Sequence, residues 1–278
     1  MAEAPRRPPA LHAGRVVSTV RVSPHLIRVV LGGPGLAGFS AGEYTDHYVK
    51  LQFPQPGVDY PEPFDLATIR AALPREQWPQ TRTYTVRSWD PDARELAIDF
   101  VHHGDEGLAG PWAANAVPGD VVYFSGPGGA YSPDPEAAWH LFAGDESALP
   151  AIAAALEALP AEAVALAFLE VADSAEELKL DAPRGAEIRW LHRGDRPIGE
   201  ALAEAVIAAE FPAGQVHAFV HGEAHFVKEL RRHLRQDRGI GREQLSISGY
   251  WRQGFDENGW QSSKRDWNTA IEQEQEQS

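Results

Sequence analysis

The stretch Arg82-Thr83-Tyr84-Thr85-Val86-Arg87 carries two readings at once. Its β-branched and aromatic residues in near-alternation predict a strand. Its polar groups also suit a flavin. An arginine offers a fixed fork of donors for a phosphate. A tyrosine lies flat against an isoalloxazine ring and keeps its hydroxyl for a ribityl oxygen. A threonine hydrogen-bonds a ring heteroatom through its hydroxyl or amide. Arg82, Tyr84 and Thr85 are therefore candidate cofactor-binding residues, on what is equally well an ordinary strand.

Outward from this stretch, the chain from 15 to about 130 reads as β-rich, with short strands at Arg15–Arg21, His25–Leu31, His47–Phe53, Arg82–Arg87, Glu95–Val101 and Asp120–Phe124. Turn clusters such as Gly32-Gly33-Pro34-Gly35 and Pro118-Gly119-Asp120 separate them, and a helix is expected around Asp65–Leu73. Short strands with irregular connections predict a small antiparallel barrel. The texture changes near Ala138. Strands are expected at Ala138–Ala143, Val164–Glu170, Glu187–Leu191, Val216–His221 and Leu245–Ser248, alternating with helices at Ala148–Leu159, Ile198–Glu210 and Ala224–Asp237. Such alternation predicts a parallel, Rossmann-like sheet covered on both faces. The expected division is a flexible tail over 1–14, a barrel domain over 15–132, an α/β domain over 136–250 and a C-terminal extension over 251–278. In that extension Lys264–Ile271 is expected to form one or two helical turns ahead of a disordered Glu/Gln end. Gly126-Pro127-Gly128-Gly129 is followed by Ser132-Pro133-Asp134-Pro135 and no helix, so it reads as a domain connection.

Composition narrows the chemistry. The chain has no cysteine, which excludes disulfides, thiol catalysis and Cys-ligated iron–sulfur clusters. A formal net charge of −15 argues against nucleic acid as a general partner, because phosphate backbones need a basic surface. The basic opening residues lack an apolar h-region, and no run reaches the ~18 apolar residues of a membrane span, so a cytoplasmic protein with no membrane partner is expected.

Two further stretches carry candidate sites. His102-His103-Gly104-Asp105-Glu106-Gly107-Leu108-Ala109-Gly110-Pro111-Trp112-Ala113 follows a strand and opens a helix. Gly107 and Gly110 would let backbone amides approach an anion, and a helix N-terminus favours phosphate; the other reading is a glycine-rich connection with a core tryptophan. Gly144-Asp145-Glu146-Ser147-Ala148-Leu149-Pro150 lies at the C-terminal end of the first parallel strand, where open α/β sheets bind ligands. Asp145 or Ser147 could equally serve as a helix cap. His221 and His225 do not share a helix face, so no metal site is expected there. The acidic run from Glu170 through Asp173, Glu176 and Glu177 would repel a 2′-phosphate, which slightly favours NADH over NADPH.

Taken in order, these elements resemble the siderophore-interacting proteins, a flavin-dependent family of the ferredoxin-reductase superfamily. The resemblance runs from about Arg15 to Gly254 and rests on Arg82–Thr85, His103-Gly104 with Gly107–Ala113 and Pro118-Gly119-Asp120, Ala143–Pro150, and Ser248-Gly249-Tyr250-Trp251-Arg252 with Gly254. One departure stands out: Gly107-Leu108-Ala109-Gly110 replaces the family's frequent Gly-Pro-Ala-Ser, so a serine hydroxyl near the phosphates is missing. The resemblance implies an FAD-binding barrel followed by a nicotinamide-binding domain, with NAD(P)H as electron donor and a ferric siderophore as substrate, reduced so that iron is released in the cytoplasm. It implies cofactor contacts at Arg82, Tyr84, Thr85, His103, Gly107, Ala109, Gly110, Asp145, Glu146 and Ser147, and Tyr250 or Trp251 near the flavin. The chemistry would be the cofactor's, with no catalytic side chain. Arg252, Lys264 and Arg265 are the candidate rim for an anionic ferric chelate. A general NAD(P)H:flavin reductase, or a flavoprotein that binds ferric siderophore without turnover, are the alternative functions.

Overall fold

In a computed structural model the chain is described over residues 10–276. It divides into two units. The first comprises the described residues up to Val20, Ile27–Gly42 and His47–Gly129; the second comprises Arg21–Leu26, Glu43–Asp46 and the chain from Ala130 onward.

Six antiparallel strands form a closed barrel: β1 (Leu11–Ser23), β2 (Leu26–Gly32), β3 (Tyr48–Phe53), β4 (Gln80–Asp90), β5 (Glu95–Val101) and β6 (Val121–Gly128), in the order β1-β2-β5-β4-β3-β6. Closure leaves no open edge. The inward residues of these strands, among them Val16, Val29, Leu31, Val49, Leu51, Leu96, Ile98, Phe100 and Phe124, make one apolar core. Two short helices decorate the barrel. Helix α1 (Leu66–Ala72) is started by Asp65, whose carboxylate accepts from the Thr68 amide at 2.8 Å. Helix α2 (Ala109–Asn115) follows β5 and buries Ala109, Gly110 and Ala113.

Two expectations change here. The tail expected over 1–14 lies outside the described residues up to 9, but from Leu11 the chain is already strand, paired with β6 through Leu11↔Ser125 to Arg15↔Val121. Gly126-Pro127-Gly128 is not a connection: it is the end of β6, with Gly128 opposite Tyr48. A Cβ on Gly128 would sit 2.3 Å from the Tyr48 ring, so the glycine there serves close strand packing.

In the second unit β7 (Trp139–Gly144), β8 (Val164–Val171), β9 (Gly185–His192), β10 (Val216–Glu223) and β11 (Leu245–Trp251) form a parallel sheet in the order β11-β10-β7-β8-β9. Continuous apolar runs make the central strands buried throughout, as in β7 and nearly all of β8. Helices α3 (Leu149–Ala158), α4 (Glu200–Ala208) and α5 (Ala224–Arg232) connect them. Helix α5 runs on through a π-helical turn at His233–Asp237, where Arg238 Nε donates to His233 Nε2 at 3.1 Å. The extension forms one long helix, α6 (Glu257–Glu276), which begins seven residues earlier than the turns expected at Lys264–Ile271. The sequence signal was weak because α6 is polar on most faces; Trp260 and Ile271 are its buried contacts.

Candidate functional site

In the first unit the candidate residues lie on β4 and around the start of α2. Arg82 and Tyr84, two apart on one face of β4, pair with Leu51 and Val49 of β3. Arg82 donates from Nη1 to the Thr81 carbonyl (2.8 Å) and from Nη2 to Gln80 Oε1 (3.0 Å), which orients the guanidinium plane while the side chain stays half-buried. The Tyr84 ring leans on Phe100 with centroids 4.4 Å apart, and Phe100 packs in turn on Trp112 of α2 at 5.5 Å. Aromatic packing thus ties the tyrosine to α2. Thr85 falls on the opposite face and is buried.

After β5 the chain turns through Gly104 and Gly107, both with positive φ (+67° and +80°). The two glycines of the Gly107–Gly110 pair do different work. A Cβ at Gly107 would meet nothing, so that glycine answers a backbone angle. A Cβ at Gly110 would lie 2.9 Å from the Val101 carbonyl oxygen, so that glycine lets α2 pack against the end of β5. Leu108 gives α2 no side-chain cap. The amides of Ala109 and Gly110 precede the first bond of the helix, Trp112 N–H to the Leu108 carbonyl at 3.2 Å, and Pro111 has no amide to donate. An anion would therefore meet unsatisfied backbone donors beside an open turn, without the serine hydroxyl that position 110 lacks. His103 is exposed on the same turn. These residue types fit the phosphate and ring of a bound flavin dinucleotide.

The second unit treats its candidates differently. Asp145, which follows β7, is fully buried and spends both oxygens inside the fold. Oδ1 accepts from the Ser147 amide (2.9 Å) and hydroxyl (2.5 Å), while Oδ2 accepts from the Glu223 amide (2.8 Å) and from Trp251 Nε1 (2.9 Å). One carboxylate thus joins the ends of β7, β10 and β11. Burial pushes this carboxyl up to about 6, with Glu146 adding to the rise and its hydrogen-bond donors working against it. Glu146 faces Arg193, whose Nη2 lies 3.0 Å from Oε1; the same guanidinium reaches Glu170 at 3.4 Å. Glu170 is buried, and its carboxylate accepts from the amides of Gly199 (2.7 Å) and Leu202 (3.2 Å) at the start of α4. Asp145 and Ser147, expected as cofactor contacts, bond to each other just ahead of α3, whose N-terminus has no side-chain cap, and Asp145 also ties the strand ends. The acidic run beyond β8 is also committed: Asp173 accepts from the Ala175 amide, Glu176 holds Ser23 and His25, and Glu177 bonds His192.

At the end of β11 a bulge pairs Glu223 with Trp251. Trp251 is pinned by Asp145, and the Gln253 amide donates to Glu223 Oε1 at 3.1 Å. Arg252, held between these two ties, lies over the Phe255 ring at 4.5 Å. The Tyr250 ring packs on His221 at 4.8 Å. The expected rim separates. Arg265 is exposed, but Lys264 lies on the inner side of α6 over the Trp260 ring, and burial lowers its pKa. Helical spacing decides this, because Lys264 follows Trp260 by four residues and shares its buried face. Sequence reasoning missed Arg193 and Glu223 as parts of this edge and named Glu170 only within the acidic run. Arg193 and Glu223 carry no local motif, and all three converge only when the strand ends align.

The comparisons with known proteins follow the same division. A model of the siderophore-interacting FAD-binding domain matches residues 15–131, and one of the siderophore-interacting protein matches residues 137–254. The chain is 36% identical over 248 residues to the ferric vibriobactin reductase ViuB of Vibrio cholerae serotype O1, spanning 87% of this chain and 90% of that protein. It is 33% identical over 239 residues to the NADPH-dependent ferric-chelate reductase of Escherichia coli, spanning 85% of this chain and 91% of that one. A crystal structure of a siderophore utilization protein from T. fusca matches with a TM-score of 0.78 at 41% identity, over 90% of this chain and 95% of that one. With both units matched in order, the chain belongs to the siderophore-interacting protein family.

Proposed function

We propose that this protein is an FAD-dependent reductase of ferric siderophores that takes its electrons from a nicotinamide nucleotide and frees iron in the cytoplasm. The observation that carries the reading is the combination, within the barrel unit, of Arg82, Tyr84 and Thr85 on β4 with the uncapped turn at Gly107–Gly110. Arg82 and the amides of Ala109 and Gly110 would hold the pyrophosphate by charge-assisted hydrogen bonds. Tyr84, braced by Phe100, would bear on the flavin ring, and Thr85, whose side chain is buried on the opposite face, would contribute through its backbone. His103 is a further donor on the open turn. Bound FAD supplies the conversion of a two-electron donor into single-electron delivery, which Fe(III) requires. The chain's own part is binding, orientation and exclusion of water. Arg252 and Arg265 are the cations proposed to receive an anionic chelate against the repulsion of a chain with net charge −15. The printed names of the Vibrio and Escherichia relatives, a ferric vibriobactin reductase and an NADPH-dependent ferric-chelate reductase, support the reaction class. The carboxylates of the acidic run beyond β8 hold internal partners but keep their charge, so a slight preference for NADH over NADPH remains part of the proposal, to be read by steady-state kinetics with both nucleotides.

The test combines the visible spectrum of the FAD-loaded protein with anaerobic reduction. The expected result is flavin absorbance that bleaches with NADH or NADPH and returns on adding a ferric siderophore, with ferrous iron trapped by a Fe(II) chelator. A flavin that stays oxidised with both nucleotides would overturn the reductase reading in favour of a carrier. Faster turnover of free flavin than of any ferric chelate would make the protein a general flavin reductase.

A further inference from the structure

Two histidines bracket the stretch His221-Gly222-Glu223-Ala224-His225, and the fold sends them apart. His221 is spent inside: its Nε2 lies 2.9 Å from Ser246 Oγ and its ring packs on Tyr250. Between Gly222 and Glu223 the β10–β11 register shifts, and α5 begins at Ala224. His225, in the first turn of α5, points outward, its side chain 61% exposed beside a Glu223 side chain only 2% exposed. The buried carboxylate fixes that ring. Glu223 Oε2 accepts from the His225 amide (2.6 Å); Oε1 accepts from the Gln253 amide (3.1 Å) and lies 2.9 Å from His225 Nδ1. A carboxylate has no proton to give, so Nδ1 carries the proton and donates it. In the neutral ring Nε2 is then an acceptor, and it has no partner among the described residues. Its place in the sheet says what could supply one. The strand order β11-β10-β7-β8-β9 reverses between β7 and β10, and a doubly wound sheet binds a dinucleotide across the crevice outside those two strand ends. The Glu223 amide donates to Asp145 Oδ2 at 2.8 Å, so the anchor of His225 stands at that reversal. The adenylate half of a dinucleotide belongs with the first βαβ unit, β7 to β8, which leaves its other half to the β10 side.

We propose that His225, oriented by Glu223, is a binding residue for the nicotinamide riboside half of the electron donor, its Nε2 accepting a hydrogen bond from the carboxamide N–H or from a ribose hydroxyl. The adenylate half keeps its own contacts on the β7–β8 side, so His225 serves NADH and NADPH alike. This rests on the reading that a nicotinamide nucleotide is the reductant.

Calorimetric titration of the FAD-loaded protein with tetrahydro-NAD, a ring-saturated analogue that transfers no hydride, tests it. In His225→Asn the side-chain amide nitrogen takes the place of Nδ1, so the bond to Glu223 survives and only Nε2 is lost. The Kd for the analogue should rise about three- to tenfold, the worth of one hydrogen bond between neutral groups. The Kd for ADP, which lacks the riboside, should stay within about twofold, on the order of no hydrogen bond lost. His225→Gln, whose side-chain carbonyl reaches the place of Nε2, should recover most of the loss. ADP-ribose separates the two donors: His225→Asn weakens it if a ribose hydroxyl is the partner and leaves it unchanged if the carboxamide is. An unchanged Kd for the analogue in His225→Asn, an equal loss for ADP, or an equal loss in His225→Gln overturns the proposal. These titrations do not depend on electron transfer. If neither NADH nor NADPH reduces the wild-type flavin, the reductase reading fails while the analogue still decides the role of His225, and a wild-type protein that binds none of the nucleotides overturns both.

Discussion

Arg82 reaches its position through the register of β4 against β3 and is oriented by two hydrogen bonds to its own strand. Replacing it with alanine removes a proposed charge-assisted phosphate contact, worth about 1.5–3 kcal/mol, so FAD should bind roughly 10- to 150-fold more weakly. Titration of flavin fluorescence in the apoprotein reads this directly, and an unchanged Kd would remove Arg82 from the site. Gly222 is the opposite kind of residue, one without a functional atom. Its φ of +141° and the 2.7 Å approach of Asp145 leave no place for a methyl group. Gly222→Ala should cost about 2–5 kcal/mol, from strain and overpacking together. Urea unfolding followed by tryptophan fluorescence measures it; a loss below 1 kcal/mol would mean that the strand ends relax easily.

Among elements, α6 shows how a polar helix is held. Its inner face carries Trp260, Lys264, Trp267 and Ile271. Trp260 is fully buried, and a Cβ on Gly249 of β11 would lie only 3.1 Å from its ring. The helix therefore depends on one large side chain seated over a glycine of the sheet's edge strand. Trp260→Ala should cost about 3–5 kcal/mol of docking free energy. Because Ile271 is the one other buried residue among the α6 side chains described, that loss should appear as local release of the helix. Hydrogen exchange is the appropriate measurement: amides of α6 should exchange much faster while those of β7 and β8 stay protected. Uniform acceleration across the unit would mean that α6 is part of its global core.

For the whole molecule, acid sensitivity follows from imidazoles kept neutral by burial. His221 is pushed down to about 3 and His140 to about 4, from an ordinary 6.5, by desolvation; Lys264 and Arg231 add to the first and His217 to the second. Nδ1 of both rings is buried without a hydrogen-bond partner, and the groups that favour protonation, Ser246 at His221 and Asp134 at His140, are outweighed by burial. As pH falls below about 6.5 the unfolded chain binds protons that the folded chain refuses. Stability present at neutral pH is therefore lost progressively toward pH 4. Asp145 works the other way, because its raised folded value lets the native state take a proton first between about 6 and its ordinary 3.8. Two histidines outweigh one aspartate, so the urea midpoint should fall from pH 7 to pH 4.5. His140→Phe, which keeps a ring of similar shape, should flatten that slope. An equally steep slope in the variant would assign the acid sensitivity to other groups.

How much of this was legible in the chain differs by feature. Local pattern alone determined the barrel followed by a parallel sheet, because strand alternation and continuous buried runs are short-range signals that any six to eight residues display. It also singled out Arg82, Tyr84, Thr85 and the Gly107–Gly110 turn as candidates, since those residues lie close together along the sequence. The family resemblance was legible for the same reason, as motifs in order. Tertiary structure alone decided what Asp145 and Ser147 do. Their motif permits either a cap or a nucleotide contact, and the hydrogen bonds Asp145 makes come in part from Glu223 and Trp251, which arrive from distant strands. It likewise decided that Glu170 caps α4, that Lys264 turns inward, and that Gly126–Gly128 is strand. A carboxylate's role is set by which donors surround it and how dry the site is, and both are properties of strand ends brought together from across the chain.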